Sequence, residues 1–281
     1  MNQNSYDGKA TLYVVPTPIG NLDDITLRAL EILKNEKYIL AEDTRVTKQL
    51  LDSYNIFNKT LISSHKYNES GNFEKVINLL KNNNNVVLVS DRGTPLISDP
   101  GSYIVNHVID NNFNVVALPG ASAFLPALNM SGISSQHFLF YGFLSQKENE
   151  SLSELKMLSQ YKFTIVLYES PHRLIKTLQK VRKILGNIEI SISREITKLH
   201  EEVFRGLIED AISYFNNPRG EFVIVINNNN KEVSSIDDAL VDLEDLLTYN
   251  IKPTDAYKYI SKKYNISKNL LYDKIEERKW N

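Results

Sequence analysis

The chain has no cysteine among its 281 residues. That single absence removes disulfides, thiolate-bound zinc, iron–sulfur clusters and thiol catalysis, and makes a reducing cytoplasm the expected setting. No run approaches the roughly 18 apolar residues that cross a bilayer, so no membrane association is expected. The opening stretch Met1–Lys9 is polar and lacks the apolar centre of a secretion signal. No Gly-x-Gly-x-x-Gly opens a helix after the first apolar run, and no Gly-x-x-x-x-Gly-Lys-Ser/Thr occurs. A Rossmann phosphate turn and a P-loop are thereby excluded. The five histidines, at 65, 107, 137, 172 and 200, never fall at His-x-x-x-His spacing, and no metal is expected. A net charge of −2 argues against a wholly basic nucleic-acid coat and leaves local patches open.

What is present is a globular composition, 42% hydrophobic and 23% charged, with length enough for two domains of ordinary size. Residues 1–120 alternate short β-branched runs with amphipathic stretches. Strands are predicted at 11–15, 38–41, 61–63, 86–89 and 115–118, and helices at 25–33, 44–54, 73–81 and 102–110, the first capped by Asp23 or Asp24. Such alternation predicts an α/β domain with a mainly parallel sheet. Residues 121–228 form a second α/β domain. A helix over 122–130 leads into a turn-rich crossing at 132–146 that contains Phe138–Tyr141. Strands follow at 163–167, 188–193, 201–205 and 222–226, with helices at 173–185 (closed by Gly186) and 207–215. Two consecutive strands without a helix between them predict a mixed sheet.

Residues 229–281 change character. The stretch 231–245 carries six acids and one lysine and is expected to be a linker, whereas 252–281 carries eight Lys or Arg against four acids. The latter predicts a two-helix module over 254–264 and 268–279 with Ser267 as an N-cap and a seam of Ile260, Tyr264, Ile266, Leu271 and Ile275. It is either an RNA contact or a packing hairpin with a solvated basic face.

The most particular segment is Ser90-Asp91-Arg92-Gly93-Thr94-Pro95-Leu96-Ile97-Ser98-Asp99-Pro100-Gly101, directly after the apolar run Val86–Val89. Three other unusual loops also follow predicted strands: Pro16–Asn21, Glu42–Arg45 and Pro119–Ser122. In a parallel sheet those ends point the same way, so four loops converge on one crevice. They offer backbone groups, small side chains and a few acids, which suit a heterocycle, a ribose and a zwitterionic tail better than a triphosphate.

These loops carry a resemblance. Pro16–Leu22, Ala41–Arg45, Ser90–Gly101, Pro119–Ala123 and Tyr168-Glu169-Ser170-Pro171-His172-Arg173 are similar to the ribosomal RNA small subunit methyltransferase I family, a branch of the tetrapyrrole methylases. Arg194–Glu201 and Arg219–Phe222 extend the likeness over about 11–226, and the Lys/Tyr-rich tail resembles the family's helical module. The resemblance implies two α/β domains with an active-site cleft between them, S-adenosylmethionine as cofactor, and a homodimer. It also implies 2′-O-methylation of a cytidine in 16S ribosomal RNA, free or within the small subunit. Cofactor contacts are then expected from Pro18, Asp91, Gly93, Thr94, Pro95, Leu96, Ile97, Ser122 and Ala123. From the second domain they are expected from Glu169, Arg194, Glu195, Gly220 and Glu221.

A ribose hydroxyl needs its proton accepted or its oxygen polarised. Glu42 and Asp43 are the nearest acceptors by sequence, with Arg45 to stabilise developing charge; the same trio also reads as an N-cap with a local ion pair. For RNA, His172 and Arg173 open a helix, where anions are favoured, and Lys262, Lys263 and Lys268 offer phosphate contacts. Phe140, Tyr141 and Phe143 either stack a base or pack a hinge. Two positions depart from the family pattern: Arg92 replaces a small residue, and Val46 stands where histidine is common. Arg92 is expected either to crowd the cofactor pocket or to point outward to RNA. Two other readings share the fold: a small-molecule methylase and a non-catalytic RNA-binding assembly factor.

Overall fold

Two five-stranded sheets, one wholly parallel and one mixed, organise a computed structural model that describes residues 3–4, 7–64, 69–228, 236–249, 251–264 and 266–279. His65, Asn229, Asn230, Asn265 and residues 231–235 of the expected linker lie outside the described residues. The chain divides into two compact units, Met1–Asn227 and Asn228–Asn281.

In the first unit, β1 (Thr11–Val14), β2 (Tyr38–Ala41), β3 (Thr60–Ser63), β4 (Val86–Val89) and β5 (Asn114–Ala117) pair in the order β3-β2-β4-β1-β5. Every pairing in this sheet is parallel. A parallel sheet is covered on both faces, which is why its strands read as unbroken apolar runs. Along β4 the side chains alternate: Val86 and Leu88 join one core, Val87 and Val89 the other. The first core takes α3 (Glu69–Lys81) and α4 (Ser102–Asp110) through Val76, Ile77, Leu80, Ile104 and Val108. The second takes α1 (Leu27–Asn35) and α2 (Thr44–Ser53) through Ala29, Leu33 and Leu51. Each fully buried Leu or Ile of this kind contributes about 1.5–3 kcal/mol. The cap of α1 is Thr26, whose hydroxyl accepts from the Ala29 amide at 3.1 Å, and not Asp23 or Asp24. Those two acids belong to a short 3-10 turn capped by Asn21.

The second sheet, β6 (Phe138–Gly142), β7 (Thr164–Glu169), β8 (Glu189–Arg194), β9 (Glu202–Leu207) and β10 (Phe222–Ile226), runs β6-β7-β10-β8-β9. Only the β6–β7 pair is parallel. Phe138–Tyr141, expected inside a crossing, is therefore an edge strand. Along β10, Phe222, Ile224 and Ile226 face a core with α6 (Glu148–Leu158), α7 (Leu174–Leu185) and α8 (Ile208–Tyr214). Val223 and Val225 face α5 (Phe124–Met130) together with Ile19, which arrives from the loop after β1. That shared cluster joins the two sheets into one unit. Helix α6 has no counterpart in the sequence reading.

In the second unit the acidic stretch from Ile236 is helical, not a linker: α9 (Ile236–Thr248) packs with α10 (Pro253–Tyr264) and α11 (Lys268–Lys279). All five seam residues expected from the sequence are buried here, with Ala239, Leu240 and Leu243 completing the three-helix core. The Ser267 hydroxyl accepts from the Leu270 amide at 3.3 Å, the N-cap contact expected of it.

Candidate active site

The four loops that leave β1, β2, β4 and β5 are stitched into one rim. Thr17 and Gly93 exchange backbone hydrogen bonds, both 2.9 Å, joining the first loop to the third. The Asp43 amide donates to Asp91 Oδ1 at 2.9 Å, joining the second to the third, and Thr94 Oγ1 donates to the Ala121 carbonyl at 2.8 Å, joining the fourth. Gly93 has φ +80°, Leu96 +74° and Ser98 +69°, so the 90–101 loop coils tightly above the end of β4. Gly142, at the end of β6, lies so close that an added Cβ would meet Ser98 Oγ at 2.8 Å. Side chain and backbone thus interlock the loop with the second sheet.

Between rim and second sheet lies a cavity of about 630 Å³. Of the expected cofactor residues, Asp91, Gly93, Thr94, Ile97, Ser122, Ala123, Glu169 and Glu221 line it. The others do not. Pro18 and Pro95 are buried beneath the rim, and Leu96 turns into the first sheet's core, where it packs beside Leu88. Arg194 is held by Glu202 at 2.8 Å and by the Arg219 carbonyl. Glu195 fills the space that a Cβ on Gly220 would need, and its carboxylate accepts from Lys198 and from the Glu221 amide, both at 2.9 Å. These residues shape the wall from behind. Sequence order cannot tell a residue that faces the cavity from one that braces it.

The wall residues not singled out from sequence include Ile19, Ser98, Asp99, Tyr168, Ile196 and Val223. Tyr168 was visible in the quoted motif, and its hydroxyl accepts from the Phe124 amide at 3.3 Å. Burial raises its pKa. Asp99 was visible in the quoted loop. Burial, then the nearby Glu42 and Asp91 charges, push it up to about 6, against a lowering contact from Ser90. Glu42 also lines the cavity, raised chiefly by desolvation.

Asp43 and Arg45 do not reach the cavity. Asp43 caps α2 through the Arg45 amide at 2.8 Å and holds the Arg45 guanidinium at 2.6 Å and 3.1 Å. The Arg45 hydrogen bonds drop the Asp43 pKa to about 2. The pair thus sits as the N-cap and local ion pair that the sequence also allowed. Arg92 lines the cavity, with Nη1 2.9 Å from Glu221, whose other oxygen takes Lys198 at 2.6 Å. It is thus tied to the cavity wall and does not project freely outward.

Among the expected RNA contacts, His172 is exposed. Arg173 is instead committed internally: its Nη2 donates to the carbonyls of Leu144 at 2.8 Å and Ser145 at 3.2 Å, and Nε lies 3.4 Å from buried Glu169. Glu169 also accepts from the Ser170 amide at 2.7 Å and the Thr177 hydroxyl at 2.6 Å, so the arginine completes a buried charge's shell. Lys262 and Lys268 are exposed, whereas Lys263 is ion-paired with Asp242. Phe140 stacks on Phe124 at 4.6 Å and meets Tyr168 at 4.9 Å, and Tyr141 packs against the second sheet's core, so both are taken up in packing. Phe143 alone of the three is open, 51% exposed, and it lines both the main cavity and a neighbouring one of about 470 Å³.

Parallel strands, a second mixed sheet and a cavity gripped by loops from both define an α/β protein with a small-molecule cleft between its two sheets. The chain belongs to the tetrapyrrole (corrin/porphyrin) methylases, the match covering residues 11–212. Within that class its relatives are named ribosomal RNA small subunit methyltransferase I. One from Bacillus subtilis is 43% identical and spans 96% of this chain and 97% of its own. One from Hydrogenobaculum is 46% identical over 78% of this chain and 96% of its own. Solved structures with the same fold include a diphthine synthase (TM-score 0.61, 14% identity, 77% of this chain and 90% of that one). Another is uroporphyrin-III C-methyl transferase from Thermus thermophilus complexed with S-adenyl homocysteine (TM-score 0.57, 16% identity, 77% and 97%). Among the described residues no group of three metal-ligating side chains occurs, and no helix is long and apolar enough to cross a membrane.

Proposed function

We propose that the chain is an S-adenosylmethionine-dependent methyltransferase that 2′-O-methylates a cytidine ribose of 16S ribosomal RNA. The observation that carries this is the coincidence of near-full-length kinship to a ribosomal RNA small subunit methyltransferase I with a cavity walled by the loops that carry the family resemblance. The cavity fits the cofactor: its volume lies within the roughly 300–1,000 Å³ of small-molecule sites, and its wall mixes apolar faces with a few polar groups. When bound, S-adenosylmethionine supplies an activated methyl group on a positively charged sulfur. Gly93, Thr94 and Ile97, with Ser122 and Ala123 of the adjoining loop, would hold its uncharged parts. Asp91, Glu42 and Asp99 give the cavity the negative field a cation requires.

The acceptor nucleotide is proposed to enter beside Phe143, whose exposed ring offers a stacking face. Arg173 would contribute indirectly, by pinning Leu144 and Ser145 behind that ring, while His172, Lys262 and Lys268 offer charge to phosphates. Homodimer formation rests on kinship alone, and action in the cytoplasm on kinship together with the absence of cysteine. The test is methyl transfer from labelled S-adenosylmethionine to hypomethylated small subunits and, separately, to free 16S RNA. Label on a cytidine 2′-oxygen is the expected outcome. Label on a base, or none where the cofactor product binds, would sink the assignment.

A further inference from the structure

Five carboxylates line the cavity: Glu42, Asp91, Asp99, Glu169 and Glu221. Four are already engaged. Asp91 Oδ1 accepts the Asp43 amide at 2.9 Å, and Glu42 Oε2 faces the Asp91 amide at 3.4 Å. Glu169 is saturated by Ser170, Thr177 and Arg173, and Glu221 bridges Arg92 and Lys198. Each thus has at least one carboxylate oxygen already taken by a protein donor. Asp99 differs, since among the described residues neither a backbone amide nor a cation engages it and the Ser90 hydroxyl is its hydrogen-bonding neighbour. Left-handed Leu96 and Ser98, with Ser98 set against Gly142, fix the backbone that presents it.

We infer that Asp99, not the Glu42–Asp43 turn, accepts the proton of the attacking ribose hydroxyl. This rests on the methyltransferase reading above. In that step the O–H bond of the 2′-hydroxyl breaks and its electron pair stays on oxygen. The proton bonds to an Asp99 carboxylate oxygen and afterwards passes to water. Glu42 is the positioning partner: its charge beside Asp99 raises the latter's proton affinity, and Asp91 adds to this. The other ionisable groups on the cavity wall are Arg92, Glu169, Glu221 and Tyr168, and Tyr168 in turn feels the Asp99 charge. A base with a pKa near 6 is ionised at neutral pH yet still takes a proton readily, which Asp43 at about 2 does not.

The experiment is single-turnover methyl transfer by the full chain on hypomethylated small subunits between pH 5 and 9, for wild type, Asp99→Asn and Glu42→Gln. Calorimetric S-adenosylhomocysteine affinity is measured alongside. The wild-type rate is expected to climb tenfold per pH unit and level off near 6. Asp99→Asn should lose about a hundredfold or more while keeping cofactor-product affinity within about threefold, and should lose the bend. Glu42→Gln should keep a larger share of the rate and shift the bend to lower pH, because a neighbouring negative charge is gone. A rate within threefold of wild type in Asp99→Asn, or an unmoved bend in Glu42→Gln, overturns the inference. Should Asp99→Asn not fold, the direction of the Glu42→Gln shift decides. Absence of methyl transfer by the wild type, with the cofactor product bound, fails the broader reading instead.

Discussion

The turn after β2 and the loop after β4 leave neighbouring strands of one sheet, touch one another, and each carry acids, yet they prepare those acids for opposite work. In the turn, Asp43 is clamped by a guanidinium and its own helix end, and its pKa falls to about 2. In the loop, Asp99 meets burial and like charge, and its pKa rises to about 6. The lesson is that position near a site does not make a carboxylate reactive. What matters is which partners have already claimed its lone pairs.

The comparison can be broken most forcefully at Arg173, which braces the wall as Arg45 braces the turn, but against a buried carboxylate. Arg173→Ala leaves Glu169 without its cation and frees the Leu144 and Ser145 carbonyls. It should cost about 2–3 kcal/mol in chemical denaturation, whereas His172→Ala should cost under about 0.5 kcal/mol. Phe143→Ala should raise KM for RNA by about tenfold, as expected for one lost stacking face, and by more than it weakens S-adenosylhomocysteine binding.

The two acids should also part in their effect on stability. The raised Asp99 pKa means that the folded state holds this proton more tightly than the unfolded one. Its favourable contribution is therefore present below the ordinary value of 3.8 and is lost as pH rises through about 6. Because the group is partly exposed and screened, Asp99→Asn should stabilise by only about 1 kcal/mol at pH 8 and by almost nothing at pH 4. Asp43 runs the other way: its contribution is present above 3.8 and lost as pH falls toward 2, so Asp43→Asn should lower Tm at pH 7 and converge with wild type in strong acid. The smallest effect belongs to the exposed Arg92–Glu221 pair. Arg92→Ala should change cofactor-product affinity by no more than about threefold, with the difference shrinking in high salt.

Much of this molecule was legible because parallel, doubly covered strands announce themselves. Val86–Val89 reads as apolar on both faces, and the loops that end such strands had to share one edge. Strand β6 was hidden because its five residues end on Gly142 with φ +81°, which imitates a turn. Helix α9 was hidden because its acids outweigh, in composition, the buried spacing of Ala239, Leu240 and Leu243. The tail's seam was plain, because its apolar positions recur at helical spacing around an evident cap.

The sequence by itself determined the alternation of strands and helices, the four loops at one sheet edge, the family and several of the acids near the cleft. Only the tertiary structure decided which of those acids is spoken for. The partners that decide it come from distant parts of the chain: Arg92 and Glu221 lie 129 residues apart, and Asp43 and Asp91 lie 48 apart. A carboxylate's proton affinity is set by the charges, amides and solvent around it, and those are assembled only when the loops and the second sheet close on one another.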